Sequence, residues 1–170
     1  MSRALLALAL AAMALLPALA EADVLVVVVR HAEKATNDPR DPDLDPAGEA
    51  RARALASALA GSRLDAAYAT QFKRTRQTAA PAAAAAGIAV TVRPVDGGNA
   101  ATYAADLARD LRALPDGSVV LVVGHSNTVP GIVAALDGRP EQAMPETEYD
   151  RFTTVRLRAD GGADTVVSRY

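Results

Sequence analysis

The chain has 170 residues, with 18 Lys and Arg against 20 Asp and Glu, a formal net charge of −2, and no cysteine. The missing cysteines exclude a disulfide framework and a lipoprotein anchor. The near-balance of charge gives no electrostatic case for nucleic acid or acidic lipid as a partner.

The first residues, "MSRALLALALAAMALLPALA", combine a basic start at Arg3, an apolar stretch from Ala4 to Leu16, Pro17 and the small-residue pattern Ala18-Leu19-Ala20. That is the layout of a secretory signal peptide cleaved after Ala20. The apolar stretch falls short of the roughly 20 residues a bilayer span needs. The expected organisation is a leader over 1–20 and a single domain over 21–170. The mature chain is expected to be periplasmic or secreted in a bacterium, without stable membrane insertion; the alternative is an uncleaved anchor. A mature length of about 150 residues suits one domain with a real core.

Past the leader, Val24–Val29 is a continuous apolar run rich in valine, the pattern of a strand buried on both faces. A Pro/Asp loop covers Thr36–Asp45, and Asp45-Pro46 is a cap and first turn for a helix to about Ala60. A strand at Leu64–Ala69, a helix at Phe72–Ala86 and a strand at Ile88–Pro94 follow. The alanine run Ala79–Gly87 reads as helix-favouring filler. Then come a helix at Ala100–Leu114, a second fully apolar strand at Ser118–Val123, a helix at Asn127–Leu136, and strands at Phe152–Ala159 and Ala163–Arg169. This alternation predicts an α/β three-layer sandwich, a mostly parallel central sheet with helices on both faces.

Ligands of such sheets sit beyond the carboxyl ends of the strands. The chain has only two histidines, His31 and His125, and each follows a buried strand: "VVVVRH" and "VLVVGH". One loop histidine is ordinarily a solvated bystander; two on the same rim of one sheet suggest a site. Arg30 precedes His31, and Arg74, in "YATQFKRTRQTA", lies near the same rim. Guanidinium forks hold phosphate oxygens bidentately, and a neutral imidazole can attack phosphorus. A second, protonated imidazole would steady the charge on the equatorial oxygens. Arg51, Arg53 and Arg76 read as surface ion pairs.

The segments "VVRHAEK", "LDPAGEARA", "YATQFKRTRQTA" and "VVGHSNTVP" together resemble the histidine phosphatase superfamily, the phosphoglycerate-mutase-like fold. The resemblance runs from about Val24 to Ala135. It implies His31 as phosphorylated nucleophile, Arg30 and Arg74 on the phosphoryl oxygens, and His125 completing the pocket, with a small phosphorylated substrate, no cofactor and no metal. The compact size is closer to phosphohistidine-phosphatase-like members than to mutases. Asn37 falls where larger members carry a substrate-contacting asparagine.

Many members also carry a proton-donating carboxylate after the third strand. Asp96 is the nearest candidate here, with Glu33, Glu146 and Glu148 behind it, and its other reading is a turn residue before Gly97-Gly98. The superfamily's other branch has aspartate directly after the second histidine, where Ser126 stands, which argues against a phytase or classical acid phosphatase. Met144–Phe152 is expected to wall the pocket. With His31 neutral and His125 protonated, activity should fall at both pH extremes.

Other classes fit less well. "GHSNT" lacks the second glycine of a nucleophile elbow, and no histidine follows it. A metal hydrolase using His31, Glu33 and His125 would set its cation among arginines. "DPDLDPAGE" fails the calcium-loop pattern at Pro46 and Ala52. The remaining rival is a non-catalytic phosphate- or sugar-phosphate-binding protein on the same scaffold. Glu33 and Lys34 have no assigned role.

Overall fold

The computed structural model describes residues 23–140 and 142–170, so the leader expected over 1–20 lies outside the described residues. Ten elements follow one another: β1 (Val24–Arg30), α1 (Pro46–Ala58), β2 (Ala66–Ala69), α2 (Lys73–Ala85), β3 (Val90–Val92), α3 (Tyr103–Arg112), β4 (Val119–Gly124), α4 (Val129–Asp137), β5 (Arg151–Leu157) and β6 (Ala163–Arg169). The sheet order is β3-β2-β4-β1-β5-β6. The first four of these strands run parallel, while β5 pairs antiparallel with both β1 and β6. The sheet is therefore mixed, with its parallel part where the sequence places it.

Because side chains alternate along a strand, the two valine-rich strands serve two cores at once. Val24, Val26 and Val28 of β1 and Val120 and Val122 of β4 pack with Leu107 and Leu111 of α3 and Ile132, Val133 and Leu136 of α4. Val27, Val29, Leu121 and Val123 point the other way, into Leu55 and Leu59 at α1 and Ala79, Ala82 and Ala83 of α2. The alanine run is thus more than filler: three of its members are buried contacts whose short side chains bring α2 close to the sheet.

Local chemistry explains the element ends. Asp45 caps α1 by accepting the Gly48 N–H at 2.8 Å, with Pro46 in the first turn. The third strand is only three residues long, against seven expected. Its one partner, β2, has four residues, and Pro94 has no N–H to extend the ladder. Gly48 is required by packing. A Cβ there would stand 2.2 Å from the carbonyl oxygen of Glu33, two residues past His31. Gly48→Ala should cost about 2 kcal/mol or more despite alanine's better helix propensity, because the backbone beside the histidine must shift. Urea unfolding of the variant should show a lowered midpoint; an unchanged midpoint would contradict this packing.

Candidate active site

The pairing of β1 with β4 places Arg30 opposite Gly124, and the His31 N–H donates to the Gly124 carbonyl at 2.9 Å. Each histidine is the next residue on its strand, so the two imidazoles emerge side by side. Their ring centroids are 5.2 Å apart in an edge-to-face arrangement. On the other side of β4, Ala69 pairs with Val123, which brings Thr70 beside His125. Gly124 leaves room for a tight turn here. A Cβ at this position would lie 2.8 Å from Thr128 Oγ1, the atom that accepts the His125 N–H at 2.9 Å.

Hydrogen bonds fix the orientation of both rings. His31 Nδ1 lies 2.8 Å from the Ala32 carbonyl, which can only accept, so the proton is on Nδ1 and the Nε2 lone pair is free. Ala32 is itself held by donation of its N–H to Thr78 Oγ1 at 2.9 Å. Around His125, Arg74 Nη2 lies 3.5 Å from Nδ1 and can only donate, so the proton belongs on Nε2. From Nε2 a buried relay runs to Thr70 Oγ1 at 2.9 Å, on to Thr75 Oγ1 at 2.9 Å, and ends on the Phe72 carbonyl at 2.8 Å. Sequence reasoning did not single out Thr70, Thr75 or Thr78, although all three lie in or beside the "YATQFKRTRQTA" segment. Three buried threonines around one loop are the signal that would have found them.

Arg30 is 1% exposed. Its Nη1 donates to the carbonyls of Pro145, Glu146 and Glu148 at 3.1, 2.7 and 3.1 Å, and its Nη2 to Glu146 Oε2 at 2.9 Å. The guanidinium carbon lies 4.1 Å from the Tyr149 ring centroid. These contacts compensate a charge taken out of water. Arg74 rests on the Phe72 ring at 4.5 Å, with Asp41 3.9 Å away. Arg30 Nε and Arg74 Nε are buried donors without a hydrogen-bond partner among the described residues, a demand that anionic oxygens satisfy. The site opens into a cleft of about 540 Å³, lined among others by His31, Lys34, Arg74, Asp96, His125, Ser126 and Glu146.

Burial lowers the pKa of His31 to about 4, against the Nδ1–Ala32 bond and with help from Arg74, Arg30 and Lys34. Burial likewise lowers His125 to about 3, aided by His31, Arg74 and Arg30 and opposed by Glu146. His31 is thus neutral at neutral pH, with its Nε2 lone pair available. His125 was expected to be protonated, but its surroundings hold it neutral too.

The remaining candidates divide. Asp96 lines the cleft, with Oδ1 accepting the Gly98 N–H at 2.8 Å, so it is both a turn residue and a carboxylate at the site. Asn37 is not brought to the cleft: its amide donates to Asp43 Oδ2 at 2.6 Å and accepts the Asp43 N–H at 3.2 Å, closing the acidic loop. Glu33 turns away into a fork with Arg51, at 2.6 to 2.9 Å. That removes it from any metal set with the histidines and makes Arg51 more than a surface ion pair. Glu148 is bound to Arg151 and Arg169. Of Met144–Phe152, Glu146 lines the cleft and Tyr149 lies 6.2 Å from the His31 ring centroid, so this segment does form a wall. Ser126 Oγ donates to Glu146 Oε1, which leaves no serine–histidine pair.

The model of the histidine phosphatase superfamily, branch 1, matches residues 26–95. The chain is also similar in structure to a putative phosphohistidine phosphatase SixA from Nakamurella multipartitia, at 27% identity, TM-score 0.60, and coverage of 86% of this chain and 96% of that one. A protein histidine phosphatase SixA complexed with tungstate superposes at 21% identity and TM-score 0.61, with 85% and 96% covered. YhfR of Bacillus stearothermophilus does so at 16% and 0.67, again with 85% and 96% covered. No curated protein matches. The fold is that of the phosphoglycerate-mutase-like phosphatases. The family match over residues 26–95 and the shared fold support placing the chain with the histidine phosphatase superfamily.

The buried imidazoles predict an acid-sensitive fold. Both native pKa values lie below the unfolded value of about 6.5, so the unfolded chain binds protons first as pH falls. Stability should therefore decline from about pH 6.5 downward, by on the order of 1 kcal/mol per pH unit per imidazole, until the native rings titrate. Urea midpoints between pH 7 and 5 should show this slope, and His125→Asn should flatten it. An imidazole NMR titration centred near 6.5 for either ring would contradict it.

Proposed function

We propose that the protein is a metal-independent phosphatase that hydrolyses phosphomonoesters or phosphohistidine through a covalent intermediate on His31. The observation that carries this reading is the locked tautomer of His31. With Nδ1–H on the Ala32 carbonyl, Nε2 presents its lone pair in a cleft that also holds Arg74 and His125. Nε2 attacks phosphorus, the Nε2–P bond forms, and the ester P–O bond breaks as the leaving oxygen takes the electron pair. Arg30, Arg74 and His125 hold the equatorial oxygens, and the dianion draws His125 toward its protonated form. Water then attacks the phosphoimidazole, the P–N bond breaks, and orthophosphate leaves His31 free.

Asp96 is the carboxylate we assign to protonate the leaving oxygen. Glu146, the other carboxylate of the cleft, is held by Arg30 and Ser126 and has its pKa lowered, by Ser126 first. Asp96 has a carboxylate oxygen without a hydrogen-bond partner among the described residues. We further propose that the mature domain is exported, on the leader pattern of residues 1–20. A phosphate- or sugar-phosphate-binding role without turnover is the competing reading, and Nε2 of His31, free to attack, favours the enzyme.

His31→Ala should abolish turnover of 4-nitrophenyl phosphate, and brief mixing of the wild type with labelled substrate should leave acid-labile, base-stable label on His31. Label on His125, or binding of phosphate without turnover even of phosphohistidine, would overturn the mechanism. Asp96→Asn should slow hydrolysis of alkyl phosphates by roughly a hundredfold and that of 4-nitrophenyl phosphate far less, because only the poor leaving group needs the proton. Equal losses on both substrates would show that Asp96 is not the acid.

A further inference from the structure

We propose that Lys34 is a specificity residue that selects substrates whose leaving group carries a second anionic group. This rests on the phosphatase reading and names the substrate class for that same cleft. Of the two residues the sequence left unassigned, Glu33 is consumed by its fork with Arg51, whereas Lys34 lines the cleft that holds His31 and Asp96.

Two features set Lys34 apart from an ordinary solvated lysine. Its backbone is fixed by a β-bridge to Leu44, and the next residue, Ala35, donates its N–H to the Asp43 carbonyl at 2.9 Å, so the side chain springs from an anchored rim. Its ammonium has no ion-pair or hydrogen-bond partner among the described residues, although Asp43 and Asp41 lie in the adjoining loop and pair with Lys73 and Arg74 instead. Lys34 is exposed and lines the same cleft as His31 and Glu146.

The phosphoryl group has its own donors in Arg30, Arg74 and His125. A third cation, exposed and unpaired, falls to the part of the substrate beyond the ester oxygen. Asn127 and Ser126 line the same cleft and add neutral polar groups, while Val95 and Phe72 supply its apolar surface. A carboxylate or a second phosphate on the leaving group would complement Lys34, and a neutral sugar or alkyl group would leave it unused. An exposed pair of this kind favours the anionic substrate by about two- to fivefold, and salt weakens it.

The test compares phenyl phosphate, 3-carboxyphenyl phosphate and 1,3-phenylene bisphosphate, each assayed with wild type, Lys34→Arg, Lys34→Gln and Lys34→Glu. The readout is the ratio of kcat/KM for each anionic substrate to that for phenyl phosphate within one variant, which is insensitive to the folded fraction. Lys34→Gln should lower the ratio about two- to fivefold, Lys34→Glu further, and Lys34→Arg should retain it. A fall for only one anionic substrate narrows the class to a carboxylate or to a second phosphate. Ratios unchanged in all variants, while the wild type hydrolyses phenyl phosphate, would overturn the role of Lys34 alone. No turnover of any of the three substrates, or of phosphohistidine, by the wild type would overturn the phosphatase reading and this inference with it.

Discussion

The in-register parallel pairing of β1 with β4 is the constraint on which the site depends. Because Arg30 stands opposite Gly124, two residues that are 94 positions apart in the chain become neighbours one step beyond the ladder. A slip of one residue would send the valines of either strand to the wrong core and separate the imidazoles together. The hydrophobic cores on the two faces thus do more than stabilise the sheet. They hold the register, and the register sets the distance between the two histidines.

This placement has an electrostatic consequence. Two imidazoles and two guanidiniums share one buried rim, and burial keeps both rings neutral while the arginines stay charged. On the proposed mechanism a neutral His31 is already in its attacking form, so no proton would have to be removed before reaction. The hydroxyl relay from Thr70 through Thr75 to the Phe72 carbonyl fixes the proton of His125 on the nitrogen away from Arg74. The polarity of the site is therefore built into backbone carbonyls and threonines, groups that do not titrate near neutral pH.

Much of this was legible in the sequence, for identifiable reasons. Continuous apolar strands ending in Arg-His and Gly-His announce buried parallel strands with a polar rim, and Asp45-Pro46 announces the start of α1. The three-residue length of β3 was not legible, because it depends on how short its partner is. Asn37 was misleading: its match to a substrate-contacting asparagine of larger superfamily members suggested the substrate, but the complementary Asp43 is too close by for sequence alone to tell a loop tie from a ligand contact. The Glu33–Arg51 fork joins residues 18 positions apart, with nothing in local spacing to mark it, whereas the threonines stand close together in one segment and only their burial sets them apart. Whether a buried histidine holds its proton depends on desolvation, which no linear pattern displays; hence the neutral His125.

Arg30 holds the wall of the cleft, since its Nη1 gathers the carbonyls of Pro145, Glu146 and Glu148, while its buried Nε has no hydrogen-bond partner among the described residues. The same guanidinium fastens the segment that carries Glu146 and Tyr149. On the proposed function, an anion that drew Arg30 toward itself would therefore also bear on the hold it keeps on that segment. Shape and charge at this end of the sheet are one variable, governed by a single side chain.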